Sequence, residues 1–214
     1  MPSENRIPKG QKIVFKKPEA LFVGSFFALE QLPRDGLPQV AVAGRSNVGK
    51  SSLLNRIVGQ RKLARVSVTP GRTRALNFFR IDNCFYLVDL PGYGYARTSQ
   101  ATRERLSRLM EQYLTAAENL IGLILLLDCR RELTEQDEQL MEWLSGRQLP
   151  VIAAITKSDK LSRSKVVQKV KSVEQELGVE AVAFSIVSGA GKNELLASLR
   201  QLVSEHVEAT RTRK

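Results

Sequence analysis

Apolar and polar positions along the chain alternate between two periods. Gln39 to Gly44, QVAVAG, is a short apolar run that ends in glycine, and SSLLNRIVG after it has the spacing of a helix. FFRI and CFYLVDL flank Asp82-Asn83, a pairing that predicts a β-hairpin. Arg103 to Ala117 is helical by spacing, with Leu106, Leu109, Met110, Tyr113 and Leu114 on one face. LIGLILLLD is apolar throughout, as a strand is when both sheet faces are covered.

A further helix starts at Thr134 and carries Leu140, Met141, Trp143 and Leu144, with Glu135 and Asp137 suited to its positive N-terminus. PVIAAITKSD gives the next strand and loop, Ser164 to Leu177 a basic helix, AVAFSI a last strand, and Asn193 to Val207 the closing helix. Upstream, SFFALEQLP predicts a short amphipathic helix packed on the sheet edge. Alternating strands and helices on short links predict a doubly wound α/β sheet. Six strands are expected, mostly parallel, with one antiparallel edge strand from the hairpin and helices on both faces. Residues 1–19 read as a flexible basic segment, 20–208 as one domain, and 209–214 as a basic tail.

Charge adds a partner class. The 33 Lys+Arg outnumber the 22 Asp+Glu, a formal charge of +11 over 214 residues, which points to a polyanion. From Gly36 to Ile81 there are nine cations and no acid. From Lys157 to Lys171, six cations meet the single acid Asp159. Cys84 and Cys129 have no metal-type spacing and are expected as buried free thiols in a reducing cytosol. The start has no apolar signal core, and the longest aliphatic run, Leu120 to Leu127, is too short to span a bilayer. A cytoplasmic monomer is the expectation.

Chemistry enters at GRSNVGKS, Gly44 to Ser51, which matches GxxxxGK[ST] between a strand and a helix. Such a loop turns successive amides toward phosphate oxygens at a helix N-terminus. Lys50 would reach the β- and γ-phosphates and the Ser51 hydroxyl a Mg²⁺ ion. DLPG, Asp89 to Gly92, fits the sensor of the terminal phosphate: Asp89 would hold Mg²⁺ through water, and the Gly92 amide would meet the γ-phosphate. TKSD, Thr156 to Asp159, follows an apolar strand where a guanine-reading loop belongs. A carboxylate there accepts from the ring N1–H and the exocyclic amine of guanine, and adenine offers no matching donors. The stem of Lys157 would lie along the base. FSI, Phe184 to Ile186, would bring backbone to the guanine oxygen. VSVTPGRTRA, Val66 to Ala75, has the composition of a mobile switch, and either Thr73 or Thr69 is a candidate second Mg²⁺ ligand.

Tyr93 stands where Ras-like GTPases carry the glutamine that orients water. A phenol cannot supply that amide, so slow intrinsic hydrolysis is expected.

GRSNVGKSSLLN, TPGRTRALNFF, LVDLPGYGYA, LLLDCRREL and ITKSDKL, in that order, resemble the EngB (YihA/YsxC) family of ribosome-biogenesis GTP-binding proteins, within the TrmE-Era-EngA-EngB-septin-like superfamily. The likeness runs from about residue 20 to 205. It implies a G-domain fold, GTP and GDP as ligands, and a role in maturing the large ribosomal subunit through its rRNA and proteins. It also implies a contribution to cell division and septation. A switch acting mainly on a division or membrane partner is the alternative.

By position, the resemblance places Gly44, Arg45, Ser46, Asn47, Val48, Gly49, Lys50, Ser51 and Ser52 around the phosphates, with Gly71, Arg72, Thr73, Arg74 and Ala75 from the switch. It adds Asp89, Leu90, Pro91 and Gly92, then Thr156, Lys157, Ser158 and Asp159, then Phe184, Ser185 and Ile186. Ser51 and Thr73 become the Mg²⁺ ligands, and Lys50, Asn47, Thr73 and Gly92 the catalytic set. Thr156 in place of the more common Asn is the family's own choice, whereas Ile186 departs from its usual small residue. In related potassium-stimulated GTPases an Asn at the position of Asn47 helps hold a monovalent cation, which makes K⁺ a further candidate cofactor.

Overall fold

The most apolar strands lie at the centre of the sheet. In a computed structural model, which describes residues 18–60, 63, 75–94 and 99–212, β2 (Gln39–Gly44) is buried along its whole length. It is flanked in parallel by β4 (Phe85–Asp89) and β5 (Leu120–Asp128). The sheet has seven strands in the order β1-β3-β4-β2-β5-β6-β7, where β1 is Ala20–Phe26, β3 Leu76–Ile81, β6 Val151–Thr156 and β7 Glu180–Ala183. Only β3 runs against the others, since it is antiparallel to both β4 and β1.

From Leu123 onward residue parity divides β5 between two cores, after an irregularity in its pairing with β2 at Leu120–Gly122 that puts Ile121 on the same face as Ile124. Ile121, Ile124 and Leu126 join α1 (Lys50–Val58) and α5 (Lys192–Thr212) on one face. Leu123, Leu125 and Leu127 join α2 (Gln100–Ala116), α3 (Glu135–Ser145) and α4 (Arg163–Leu177) on the other. The doubly wound architecture therefore agrees with the hydrophobic pattern.

Two expectations need correction. The sheet has seven strands rather than six, and SFFALEQLP is not a helix. Ser25 and Phe26 end β1, paired with β3, and only Leu29–Gln31 makes a single 3₁₀ turn. Phe26 meets Phe78 edge-on at 5.3 Å, and that packing overrides a helical pattern too short to nucleate alone. Strand β1 lies outside β3, so the antiparallel hairpin strand is second from the edge.

The hairpin forms as expected. Asp82 and Asn83 both take positive φ, and the Cys84 amide donates to the Ile81 carbonyl at 2.8 Å. Strand β7 stops at Ala183, so Phe184 to Ile186 lie in the loop beyond it. Both cysteines are free, Cys129 buried and Cys84 only partly so. Among the described residues no helix is long and apolar enough to cross a membrane. Thr69, Gly71, Arg72, Thr73 and Arg74 lie outside the described residues, as do residues 1–17.

Candidate nucleotide site

Four parallel strands, β2, β4, β5 and β6, end side by side at Gly44, Asp89, Asp128 and Thr156, and the functional loops leave from those ends. Open α/β sheets bind ligands at the carboxyl edge because helix N-termini and strand-end loops converge there. After β2 the chain turns through Asn47, at φ 63, and Gly49, at φ 112, into the first turn of α1 at Lys50. Lys50 is 8% exposed, and its ammonium folds back to donate to the Gly44 carbonyl at 3.4 Å. Ser51 and Ser52 follow it in the first turn of α1, where amides have no partner inside the helix.

Asp89 is 2% exposed at the end of β4, and its Oδ1 has no hydrogen-bond partner. Burial raises this carboxyl to about 6, against the opposing pull of the Lys50 ammonium and a hydrogen bond from Asn77. Burial likewise lowers Lys50 from its ordinary range, against the attraction of Asp89. A buried acceptor oxygen without a donor, at the end of a strand next to the phosphate loop, fits a divalent cation and its water shell. The residues present therefore suit Mg²⁺, with Ser51 and Asp89 among the described donors. Ala75, Leu90, Pro91 and Gly92 are buried around this end of the sheet.

The base-side loops are knitted to the phosphate loop. The Thr156 hydroxyl, fully buried, donates to the Val48 carbonyl at 2.8 Å and lies 3.0 Å from that of Leu127. Lys157, in the left-handed region at φ 61, donates through Nζ to the Asn47 carbonyl at 3.0 Å and to Asp128 at 2.8 Å. The Ser158 amide donates to the Phe184 carbonyl at 3.2 Å, and the Ser185 hydroxyl donates to Asp159 at 2.8 Å. That last bond lowers the Asp159 carboxyl below its ordinary range, so it is an anion ready to accept. Ile186, the departure from the family pattern, packs behind the phosphate loop: a Cβ on Gly49 would stand 3.1 Å from its Cδ1. The structure thus brings together the loops at Gly44–Ser51, Asp89–Gly92, Thr156–Asp159 and Phe184–Ile186.

Two carboxylates that sequence reasoning left without a site role stand out. Asp128 is shared between Lys157 and a two-pronged contact from Arg130, at 2.9 and 2.7 Å. The Arg130 hydrogen bond is the main cause that holds its carboxyl far below the usual range. Asp137, 2% exposed, closes the capping box of α3 with Thr134 and also accepts from the Tyr93 hydroxyl at 2.5 Å. Tyr93 is itself tied to the phosphate loop, since its carbonyl accepts from the Ser46 amide at 2.9 Å and its backbone bridges Arg45. The phenol is directed into the protein, and its ring packs with the α2/α3 core. The nearest sequence signal was an acid in the first turn of α3, which said nothing of a tyrosine 44 residues upstream.

A strand-to-helix phosphate loop, a buried acid at the neighbouring strand end and a base loop carrying an ionised carboxylate define a GTPase G domain. The family model described as "50S ribosome-binding GTPase" matches residues 39–157. The probable GTP-binding protein EngB of Pelotomaculum thermopropionicum is 48% identical over 181 residues, covering 83% of this chain and 91% of that protein. Its namesake from Caldanaerobacter subterraneus subsp. tengcongensis is 39% identical over 189 residues, covering 87% and 97%. A crystal structure of a probable GTP-binding protein EngB shares the fold at a TM-score of 0.64 and 21% identity, over 78% of this chain and 99% of that one. Era in complex with MgGDPNP and a segment of 16S ribosomal RNA gives 0.64 at 25% identity, over 78% and 56%. The chain belongs to the EngB family of GTP-binding proteins and is a GTP-hydrolysing enzyme.

Proposed function

We propose that this GTPase is a cytoplasmic, monomeric switch in assembly of the large (50S) ribosomal subunit, and that normal division and septation depend on it. The observation that carries the switch in this reading is the double anchorage of Tyr93. Its backbone is bonded to the phosphate loop and its hydroxyl to the N-terminal cap of α3, so the phosphate sensor and an outer helix are mechanically joined. Support for the ribosomal partner comes from the family's description, the charge of +11 and the two acid-poor runs.

In this reading Ser51, Thr73 and, through water, Asp89 hold Mg²⁺, which when bound neutralises charge on the β- and γ-phosphates. Lys50 and the amides of the phosphate loop cradle the same oxygens, and the Gly92 amide meets the γ-phosphate. Asp159 reads guanine, and the stem of Lys157 covers its face. Tyr93 does not stand in for the missing glutamine, since its hydroxyl is committed to Asp137. Intrinsic hydrolysis is accordingly slow, on the order of 10⁻⁴ s⁻¹, and help comes from a ribosomal particle, from K⁺ held with Asn47, or from both. Asn47 takes a positive φ and its carbonyl accepts from Lys157, which holds the phosphate loop to the base loop at this point.

The test is co-sedimentation of the protein, loaded with a GTP analogue, with 50S precursors and with anionic lipid vesicles. Binding to precursors and accelerated hydrolysis on them are expected. Vesicle binding without precursor binding would transfer the function to a membrane or division partner. Equal turnover in potassium and sodium would remove the K⁺ assignment.

A further inference from the structure

The run from Lys160 to Val173 contains no acidic residue, and α4 makes up most of it. The packed side of α4 is formed by Val170, Val173 and Leu177 against the sheet. Its outer side leaves Arg163, Lys165 and Lys171 exposed, and among the described residues none of the three is ion-paired. Lys169 donates to Glu132 at 2.8 Å, which draws the loop after β5 alongside α4. That loop adds exposed Arg131 and the guanidinium of Arg130, still 47% exposed while it clasps Asp128.

Helix α2 offers the contrast. Its Arg103, Arg105 and Arg108 are interleaved with Glu104 and Glu111, and Arg108 lies 3.6 Å from Glu104. The field over α2 is thus largely cancelled, whereas the acids of α4, Glu174 and Glu176, come only after Lys171, so the field over its part from Arg163 to Lys171 is not.

We propose that the outer face of α4, with Arg130 and Arg131 beside it, is a docking surface for the sugar–phosphate backbone of RNA. The choice of RNA rests on the ribosomal reading above, and the surface itself favours it on two further grounds. Exposed Ser164 and Gln168 sit among the cations, and such side chains donate to phosphate oxygens and 2′-hydroxyls. Among the described residues of α4 the exposed aliphatic one is Val167, 50% exposed, and it is not one of the aromatic or leucine anchors that seat a helix in a lipid surface. Contacts of this kind fix position and orientation on RNA rather than read sequence.

The experiment measures binding of the full chain, loaded with a GTP analogue, to a fluorescent RNA hairpin between 50 and 300 mM salt. One variant combines Arg163→Ala, Lys165→Ala and Lys171→Ala. A control removes the same charge elsewhere through Arg34→Ala, Arg105→Ala and Arg108→Ala. Each cation that neutralises a phosphate contributes ~0.7–0.9 to the slope of log affinity against log salt. The α4 variant should therefore lower that slope by about 2 and weaken binding about tenfold or more at 100 mM salt. The control should change affinity less than about threefold.

Equal losses in the two variants, or an unchanged slope in the α4 variant, overturn the proposal. So does a loss of binding to phosphatidylserine vesicles with RNA binding intact. GDP affinity monitors folding, and Lys171→Glu alone, a single exposed change, should move the slope in the same direction. Failure of this surface is separable from failure of the ribosomal reading. Hairpin binding that ignores α4 while co-sedimentation persists sinks the surface alone. An α4-dependent hairpin complex without co-sedimentation sinks the ribosomal role alone.

Discussion

Replacing Tyr93 by Phe removes one oxygen atom and tests whether this residue anchors the phosphate sensor or takes part in chemistry. In the wild type the hydroxyl donates to Asp137 Oδ1 at 2.5 Å, while Oδ2 accepts from the Thr134 amide at 2.9 Å and its hydroxyl at 2.7 Å. Asp137 is 2% exposed, so water does not readily replace the lost donor. A hydrogen bond to a charged, buried acceptor is worth about 1.5–3 kcal/mol, most of it felt as the cost of the orphaned oxygen. The ring stays packed, so little hydrophobic stabilisation is lost. At about 2 kcal/mol, the melting temperature of a domain of this size falls by roughly 4–8 °C.

The assay is denaturant unfolding of the GDP-bound protein, repeated in an Asp137→Ala background. There, Tyr93→Phe should cost less than about 0.5 kcal/mol because the partner is already gone. Burial and then the Asp137 carboxylate hold the phenol far above its ordinary range, so the donor stays protonated and the effect should not vary between pH 6 and 9. Single-turnover GTP hydrolysis should change less than about threefold, since the hydroxyl is engaged away from the phosphate loop. Two results would refute the reasoning: unaltered stability in Tyr93→Phe, or a tenfold loss of hydrolysis, worth ~1.4 kcal/mol of transition-state stabilisation.

Asp159→Asn should weaken GTP by about 100-fold or more and shift preference toward xanthosine nucleotides, measured by competition binding; unchanged preference would mean that the base pocket is misplaced. Gly191 takes φ +78, and a Cβ there would lie 1.9 Å from the Ala183 carbonyl oxygen, so Gly191→Ala should cost more than about 3 kcal/mol in thermal unfolding. A near-wild-type melting temperature for that variant would contradict the path drawn for the base loop. For Asp89, the folded value of about 6 lies above the ordinary carboxylate value of about 3.9, so the nucleotide-free folded state holds a proton that the unfolded chain has released. Its stability should fall as pH rises from about 4 to 6, by at most about 3 kcal/mol, and Asp89→Asn should remove that slope; parallel profiles would count against the buried acid.

How much of this was legible beforehand depended on how local each cause is. The phosphate loop could be read directly because its glycines, Lys50 and Ser51 act within eight consecutive residues between a strand and a helix. The helix at Thr134 was legible for the same reason, since its capping box closes over three residues. Strand β1 was not, because it breaks the rule that exposed positions are polar. Leu21, Phe22 and Val23 are 55%, 45% and 39% exposed on the outermost strand, so the expected alternation is missing. Asp128 was illegible for another reason: its ligands are Arg130, two residues on, and Lys157, 29 residues away, and only the parallel pairing of β5 with β6 brings the second into reach.

Tyr93 shows why an absence in a motif is a poor guide to mechanism. Read along the chain, it marks a missing glutamine. In the fold it joins Ser46 and Arg45 of the phosphate loop to Asp137 of α3. The loop that leads into α3 begins at Asp128 with Arg130 and Arg131, and Lys157 ties that same Asp128 back to the phosphate loop through Asn47. Two polar paths therefore run from the phosphate loop to the segment between β5 and α3, one through the sensor and one through the base loop. The two paths reach that segment at its two ends, Asp128 and Asp137. A position that in Ras-like GTPases serves the attacking water serves here as a mechanical joint between the phosphate loop and α3.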